Sequence, residues 1–323
     1  MFKKKRIAML LVLAAAAYIG CQYGVWLAAG GLALLVLMLG GLSALQYARA
    51  HRGFDRLAAL RPRYGVARLV ADAQARHGGA ETFSFVVLGD TRNRVRVTSR
   101  VYERVAAEEP VMVFHTGDIV RHGTAREFLE NHIALLERAL AGIPMFCVPG
   151  NHERGARRDF AAFQAIYGDD KFAFDLGPCR FVGFNNSRGR RVTGADLAFL
   201  EQELAKPGAR FRFVFFHIPP AFFEATFASD SKRRGFKENA ETLHALFARH
   251  GVTEVFMAHI HGYASTVIGG VRYTLTAGGG APLSRRLAAE GRAHHYVVIQ
   301  AAPQEVRREV VYLRDEQWVR ENG

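Results

Sequence analysis

Five short apolar runs, Phe83 to Leu88, Val111 to His115, Pro144 to Val148, Phe211 to Phe216 and Glu254 to Ala258, each stop at a polar cluster. Runs of this length bounded by turn signals fit buried strands rather than helices. Longer stretches with helical periodicity lie between them, among them Ala125 to Leu140, Ala195 to Ala205 and Glu238 to Arg249, so the class is α/β. Near the C-terminus the spacing changes. Tyr263 to Ile268, Val271 to Ala277, His295 to Ala301 and Val306 to Leu313 follow one another through short turns, the pattern of antiparallel strands. The organisation predicted is a domain over residues 81–316 with a tail at 317–323.

Ahead of the domain lie two apolar runs, Ile7 to Tyr23 and Val25 to Tyr47, the second without any charge. At about 1.5 Å of rise per residue the second is long enough to cross a bilayer, and the first is near the lower limit. The reading is a transmembrane hairpin over residues 1–47, turning at Cys21 to Gly24. Basic residues flank both ends, Lys3 to Arg6 before it and Arg49, Arg52, Arg56, Arg61 and Arg63 after it. The positive-inside rule then places both ends, and the domain, on the cytoplasmic side of the inner membrane. A basic start followed by an Ala- and Leu-rich run also resembles a signal sequence, which would put the domain on the periplasmic side. Residues 48–80 read as a basic connector in which Val66, Leu69, Val70 and Ala73 recur at helical spacing.

The net charge of +13 invites a nucleic-acid partner, but eight of those charges fall within residues 1–63. There they read as topology signal and attraction to anionic lipid, and no recognition helix or zinc finger appears, so nucleic acid is not an expected partner. Three cysteines exclude a disulfide-built scaffold.

The polar clusters ending the five runs are Gly89-Asp90-Thr91-Arg92, Gly117-Asp118, Gly150-Asn151-His152-Glu153, His217 and His259-Ile260-His261. Strand ends of an open α/β sheet converge on one edge, where ligands bind. Two carboxylates, an amide and three imidazoles gathered there suit Zn, Mn or Fe, and they exceed what a single tetrahedral ion needs. Two divalent ions are expected, the arrangement of metal-assisted phosphoester hydrolysis.

In their order these clusters resemble the calcineurin-like metallophosphoesterases, whose GD, GDxxxxG, GNHE, H and GHxH motifs match Asp90, Gly117-Asp118 to Gly123, Gly150 to Glu153, His217 and Ala258 to His261. The resemblance implies a four-layer fold of two facing mixed sheets flanked by helices. It implies that Asp118 bridges two metals, Asp90 and His261 hold the first, and Asn151, His217 and His259 hold the second. A metal-bridging hydroxide would attack the phosphorus of a mono- or diester, and His152 would protonate or stabilise the leaving oxygen. The substrate would be a phosphorylated small molecule or lipid, and the anchor makes a lipid-linked pyrophosphate attractive.

Two positions depart from the family pattern. Arg92 stands where a ligand His is usual, and a guanidinium has no lone pair to give a cation. Arg92 is therefore expected to clamp substrate phosphate, with water or Asn93 completing the metal or the site holding it weakly. Arg121 stands where relatives carry an Asp that orients the GNHE histidine, which leaves His152 without an assigned partner. These departures support an alternative reading, a non-catalytic membrane scaffold whose degenerate metal site binds phosphorylated ligands. Glu153 is expected to serve a local helix N-terminus, His115 to be a core residue, and His295 to lie near the metals or not with equal weight.

Overall fold

The computed structural model describes the chain except residues 1–10, 13, 16, 19–20, 22–24, 156–158 and 228–234; within its N-terminal helix the side chains of 25–29 and 43–52 are also outside the description. The chain divides into two compact units, Met1–Asp55 and Arg56–Gly323.

In the first unit a helix begins at Val25 and runs to Ala58. Its residues 30–42 carry no charge and leave Leu34, Val36, Leu37, Met38, Leu39 and Leu42 exposed. Among the described residues no helix is long and apolar enough to cross a membrane. Most of the first run of the expected hairpin, and all of its turn but Cys21, lie outside the described residues.

The second unit contains two six-stranded sheets. One has the order β12-β11-β10-β1-β2-β3, formed by Gln317–Asn322, Val306–Arg314, His294–Ala301, Phe83–Leu88, Met112–His115 and Met145–Cys147. The other has the order β4-β5-β6-β7-β9-β8, formed by Phe172–Leu176, Cys179–Gly183, Phe211–Phe215, Glu254–Met257, Val271–Thr276 and Tyr263–Ile268. Both are mixed: β1, β2 and β3 run parallel while β10 to β12 pair antiparallel, and β5, β6, β7 and β9 run parallel with antiparallel edges.

Alternation on the strands builds the layers. Phe83, Phe85 and Val87 turn one face of β1 into the core between the sheets, where Phe114 and Phe215 stack with centroids 4.1 Å apart. Burying an aromatic ring of this size contributes about 2 kcal/mol each, so this phenylalanine layer is the main adhesive between the sheets. The outer face of the second sheet meets helices Gly194–Leu204 and Ala240–Arg249 through Val214, Leu200, Leu243 and Phe247. Helix Val95–Ala106 lies against the first sheet at β10.

The connector helix is Val66–His77, and its Leu69 and Ala73 are buried in the inter-sheet core with Val66 and Val70 beside them. Its apolar stripe therefore docks on the domain. The expected tail at 317–323 is instead the edge strand β12. Its charged sequence reads as solvated, but Arg320 reaches Glu108 at 2.6 Å and Glu309 at 2.5 Å, and those pairs hold it in register.

Candidate metal centre

Each expected site residue lies within five residues of a strand end, and the backbone there is bent. Asp90, Asp118 and His259 have φ of 57°, 53° and 74°, left-handed values that cost about 1–3 kcal/mol in a residue with a side chain. Surrounding contacts hold them there. Gly117 has φ 98°, and a Cβ on it would lie 2.6 Å from the Gly150 nitrogen and 2.8 Å from Nδ1 of His217. Glycine at 117 thus lets two motif loops touch.

Two groups of possible ligand atoms share Asp118: Asp118 with His217 and His259, and Asp90 with Asp118 and His261. Within each, the atoms lie within 4.8 Å of one another. Asn151 joins the first, its Oδ1 3.3 Å from Nε2 of His217. Arg92 and His152 border the same space. All eight expected residues are therefore brought together.

The tautomers can be argued from partners. Nδ1 of His217 lies 2.9 Å from the Thr116 carbonyl, and Nδ1 of His261 lies 2.6 Å from the Pro282 carbonyl. Carbonyl oxygens only accept, so each Nδ1 carries a proton, and in the neutral ring, the form that binds metal, each Nε2 presents a lone pair. At His217 that lone pair faces Oδ1 of Asp118 and Oδ1 of Asn151, both at 3.3 Å. At His261 it faces Oδ1 of Asp90 at 3.1 Å, a buried oxygen without a hydrogen bond. Lone pairs converging in a buried space repel unless a cation stands among them, so the donor set fits divalent metal.

Electrostatics follow the same crowding. Burial raises the Asp118 carboxyl well above its ordinary range, and the charge of Asp90 adds to this. Burial also acts to raise Asp90, but the facing His261 outweighs it and holds that carboxyl far below its usual value. For His261, burial opposes the charge, yet Asp90 wins and the imidazole is raised. Burial keeps His259 neutral, lowering it to about 3, with His217 adding to the effect.

Glu153 departs from the role expected of it. It is fully buried, and its carboxylate accepts the backbone N–H groups of Gly150 at 2.7 Å, Asp118 at 2.8 Å and Val120 at 3.0 Å. It is a brace for two motif loops rather than a helix-terminal residue. Burial, then the charge of Asp118, raises its carboxyl to about 8. A raised carboxyl stabilises the fold while protonated, and that contribution is lost as pH rises towards 8. The buried histidines with lowered pKa work the other way over this range, because their unfolded forms still release protons, so the Glu153 part is read by difference: the stability of wild type relative to Glu153→Gln, both metal-free, should fall by roughly 2 kcal/mol between pH 6.5 and 8. Raised Asp118 and His261 act in the same direction. Melting curves of the two chelated proteins, compared pH by pH, should show this fall in their difference, and added Mn or Zn should reduce it by neutralising the carboxylates.

The orienting partner of His152 is a main-chain atom. Nδ1 of His152 donates to the Arg121 carbonyl at 2.6 Å, so the residue that lacks the expected carboxylate side chain supplies its backbone instead. Nε2 of His152 faces Oδ2 of Asp118 at 3.8 Å. Asn93 does not turn towards Asp90: its Nδ2 donates to Glu127 at 2.6 Å, which also accepts from His122. Arg92, half-buried, sends Nη1 to within 3.1 Å of Nε2 of His261. His295 packs between Tyr263 and Tyr312, with its Nδ1 on the Ala293 carbonyl at 2.9 Å, and belongs to the core. His115 is likewise buried, accepting from the Gly117 N–H at 3.2 Å.

One supporting residue had no sequence signal beyond its place after a strand. Asn186 follows β5 and accepts the backbone N–H of His217 at 3.3 Å and of Ile218 at 3.0 Å, fixing the loop that carries the imidazole.

Comparison with known proteins agrees with this geometry. The bovine (Bos taurus) serine/threonine-protein phosphatase CPPED1 is 26% identical over 218 residues, which cover 62% of this chain and 66% of that relative, just under two thirds of its length. Purple acid phosphatase PPD1 from yellow lupin superposes with a TM-score of 0.61 at 17% identity, over 75% of this chain and 53% of that one. GAP50, the anchor in the inner membrane complex of Plasmodium, gives 0.53 at 12% identity, over 75% of this chain and 88% of that one. At these identities the two structures speak for the fold. Residues 83–263, from the first strand past the last paired histidines, match the calcineurin-like phosphoesterase family, and with its motif residues gathered around one shared carboxylate the chain belongs to that family.

Proposed function

We propose that this phosphoesterase hydrolyses phosphate mono- or diesters with two divalent ions, Mn, Zn or Fe, held by the paired groups that share Asp118. The sharing of Asp118 carries the reading, because it sets two ligand groups side by side across one carboxylate. In the assignment, Asp90 and His261 serve one ion and Asn151, His217 and His259 the other. Such a pair supplies Lewis-acid polarisation of the phosphoryl group and a nucleophile from water at neutral pH. The chain's own residues do the rest. Glu153 and Asn186 fix the loops, Arg92 offers a guanidinium to the phosphate, and His152 stands ready for the leaving oxygen. The full chain loaded with Mn or Zn should release nitrophenol from an aryl phosphate or a bis-aryl diester; a preparation holding two ions per chain and releasing none would overturn the reading.

His152 has a test of its own. Its Nδ1 proton is committed to Arg121, so acid catalysis uses Nε2, and burial lowers its pKa, making the imidazolium a stronger acid. His152→Gln should slow an alkyl phosphate by about 10²-fold or more and a nitrophenyl phosphate, whose leaving group departs unaided, far less. Equal losses would remove the acid role.

Membrane anchoring belongs to the same proposal. The observation behind it is the Val25–Ala58 helix, whose consecutive apolar residues at 36–42 are exposed on every side, as in helices that need an apolar surrounding. The basic flanks favour a domain on the cytoplasmic side, and the periplasmic side is the alternative. Anchoring keeps lipid-linked phosphates among the candidate substrates. The full chain should stay with the membrane through a carbonate wash; release by that wash would exclude a spanning anchor.

A second reading, the scaffold with a degenerate site, draws on the Arg92 contact, since a cation already occupies the lone pair of His261. GAP50, titled an anchor, shares the fold and gives the reading a precedent of shape only. Elemental analysis separates the two: about two transition-metal ions per chain fit the enzyme, and none fits the scaffold.

A further inference from the structure

A cavity of about 350 Å³, within the usual range for small-ligand sites, is lined in part by the loop that follows β5. Asp170, Lys171, Asn185, Arg188, Arg191 and Asp196 are among its walls. The loop after β5 ties it to the chemistry. Asn185 lines the cavity, the next residue Asn186 holds the backbone of His217, and Ser187 donates to the Pro149 carbonyl at 3.2 Å, just before Gly150-Asn151.

The hydrogen-bond inventory of the walls is unbalanced. The carboxylates are satisfied from inside: Asp170 accepts from Asn185 and Arg188, both at 2.6 Å, while Asp196 accepts from Lys171 at 2.7 Å and from Thr193 at 2.7 Å. The guanidiniums are not used up. Arg188 commits Nη2 to Asp170 and sets its guanidinium over Phe160, and among the described residues Arg191 makes a loose, exposed contact with Glu238 at 3.8 Å. The walls thus hold three cations, Lys171, Arg188 and Arg191, against two carboxylates, and a ligand that brings acceptors completes the set.

Resting on the phosphoesterase reading of the metal centre, we infer that this cavity receives a second anionic group of the substrate, so that the preferred substrates carry two anions, one at the metals and one between Arg188 and Arg191. A neutral alcohol at that end would leave the guanidiniums with less than they can bind. The span between the two anions is what selects among substrates.

The test uses non-hydrolysable probes on the metal-loaded full chain. Alkane-α,ω-bisphosphonates of three to eight carbons are titrated by calorimetry against ω-hydroxyalkyl phosphonates of equal length, and both series are assayed as competitors of nitrophenyl phosphate hydrolysis. At one chain length the bisphosphonate should bind at least about tenfold tighter, the effect of one charge-assisted contact set. Arg191→Ala should cut that preference severalfold. Gly189→Glu should do so independently, because a Cβ there meets nothing nearer than the Arg191 side chain at 3.4 Å and so brings a carboxylate into the cavity without displacing its walls. No preference at any length, or a preference unchanged in both variants, overturns the inference. Loss of nitrophenyl phosphate hydrolysis in wild type with the preference intact would count against the hydrolytic reading and leave the anion site standing.

Discussion

Asp118→Asn is expected to lower kcat/KM for an aryl phosphate by at least about 10²-fold and to reduce bound metal, while the metal-free variant melts no lower than wild type. The opposed directions come from one carboxylate. Asp118 belongs to both ligand groups, with Oδ1 3.3 Å from His217 and Oδ2 facing His152. An amide of the same shape puts either a neutral oxygen or an N–H group where lone pairs converge, and neither balances a dication. Without metal the account reverses. The carboxyl is buried beside Asp90 and raised well above its ordinary range, so its charge costs stability at neutral pH. Removing that charge relieves the fold, a trade between stability and function common at active sites. The hydrogen bond from the His152 N–H to Oδ1, 2.9 Å, can be kept by the amide oxygen. Wild-type activity in the variant would sink the metal mechanism, and a large fall in the melting temperature of the metal-free variant would show that Asp118 serves the fold instead.

Much of this centre was legible because strand ends concentrate chemistry. The five apolar runs mark strands, and in an α/β sheet their polar ends converge whatever the lengths of the intervening loops. What escaped the sequence is carried by the main chain and by long-range pairing. The Arg121 carbonyl orienting His152 has no side-chain signature, and the absence of an Asp at that position hid the partner rather than removing it. Glu153 looks like a helix-terminal carboxylate in the string, and only the folding of two loops onto each other gives it three buried N–H groups to accept. β12 was hidden by its charges, which find partners on Glu108 and Glu309 far along the chain. Strands β4 and β5 lie outside the motif-bearing set, and nothing in their residues speaks of chemistry although β5 leads into Asn186 and the cavity loop.

Arg92→His is expected to tighten binding of the ion assigned to Asp90, Asp118 and His261 by about tenfold or more, and to weaken the hold on substrate phosphate. The backbone there has φ 44°, a region that histidine enters more readily than most residues, so the exchange is tolerable locally. In wild type the guanidinium lies 3.1 Å from Nε2 of His261 and adds positive charge next to a site meant for a cation. A metal entering must displace that contact and endure the charge. Imidazole in its place removes the repulsion and adds a lone pair. If Arg92 also binds phosphate, the same exchange raises KM more than it lowers kcat, since a contact made equally to substrate and transition state is lost. Competition with a chromophoric chelator reads the affinity, and steady-state kinetics reads the split. Unchanged affinity with unchanged KM would return Arg92 to the surface. Tighter metal binding accompanied by the first appearance of activity would instead identify the natural chain as the scaffold and the arginine as what disables it.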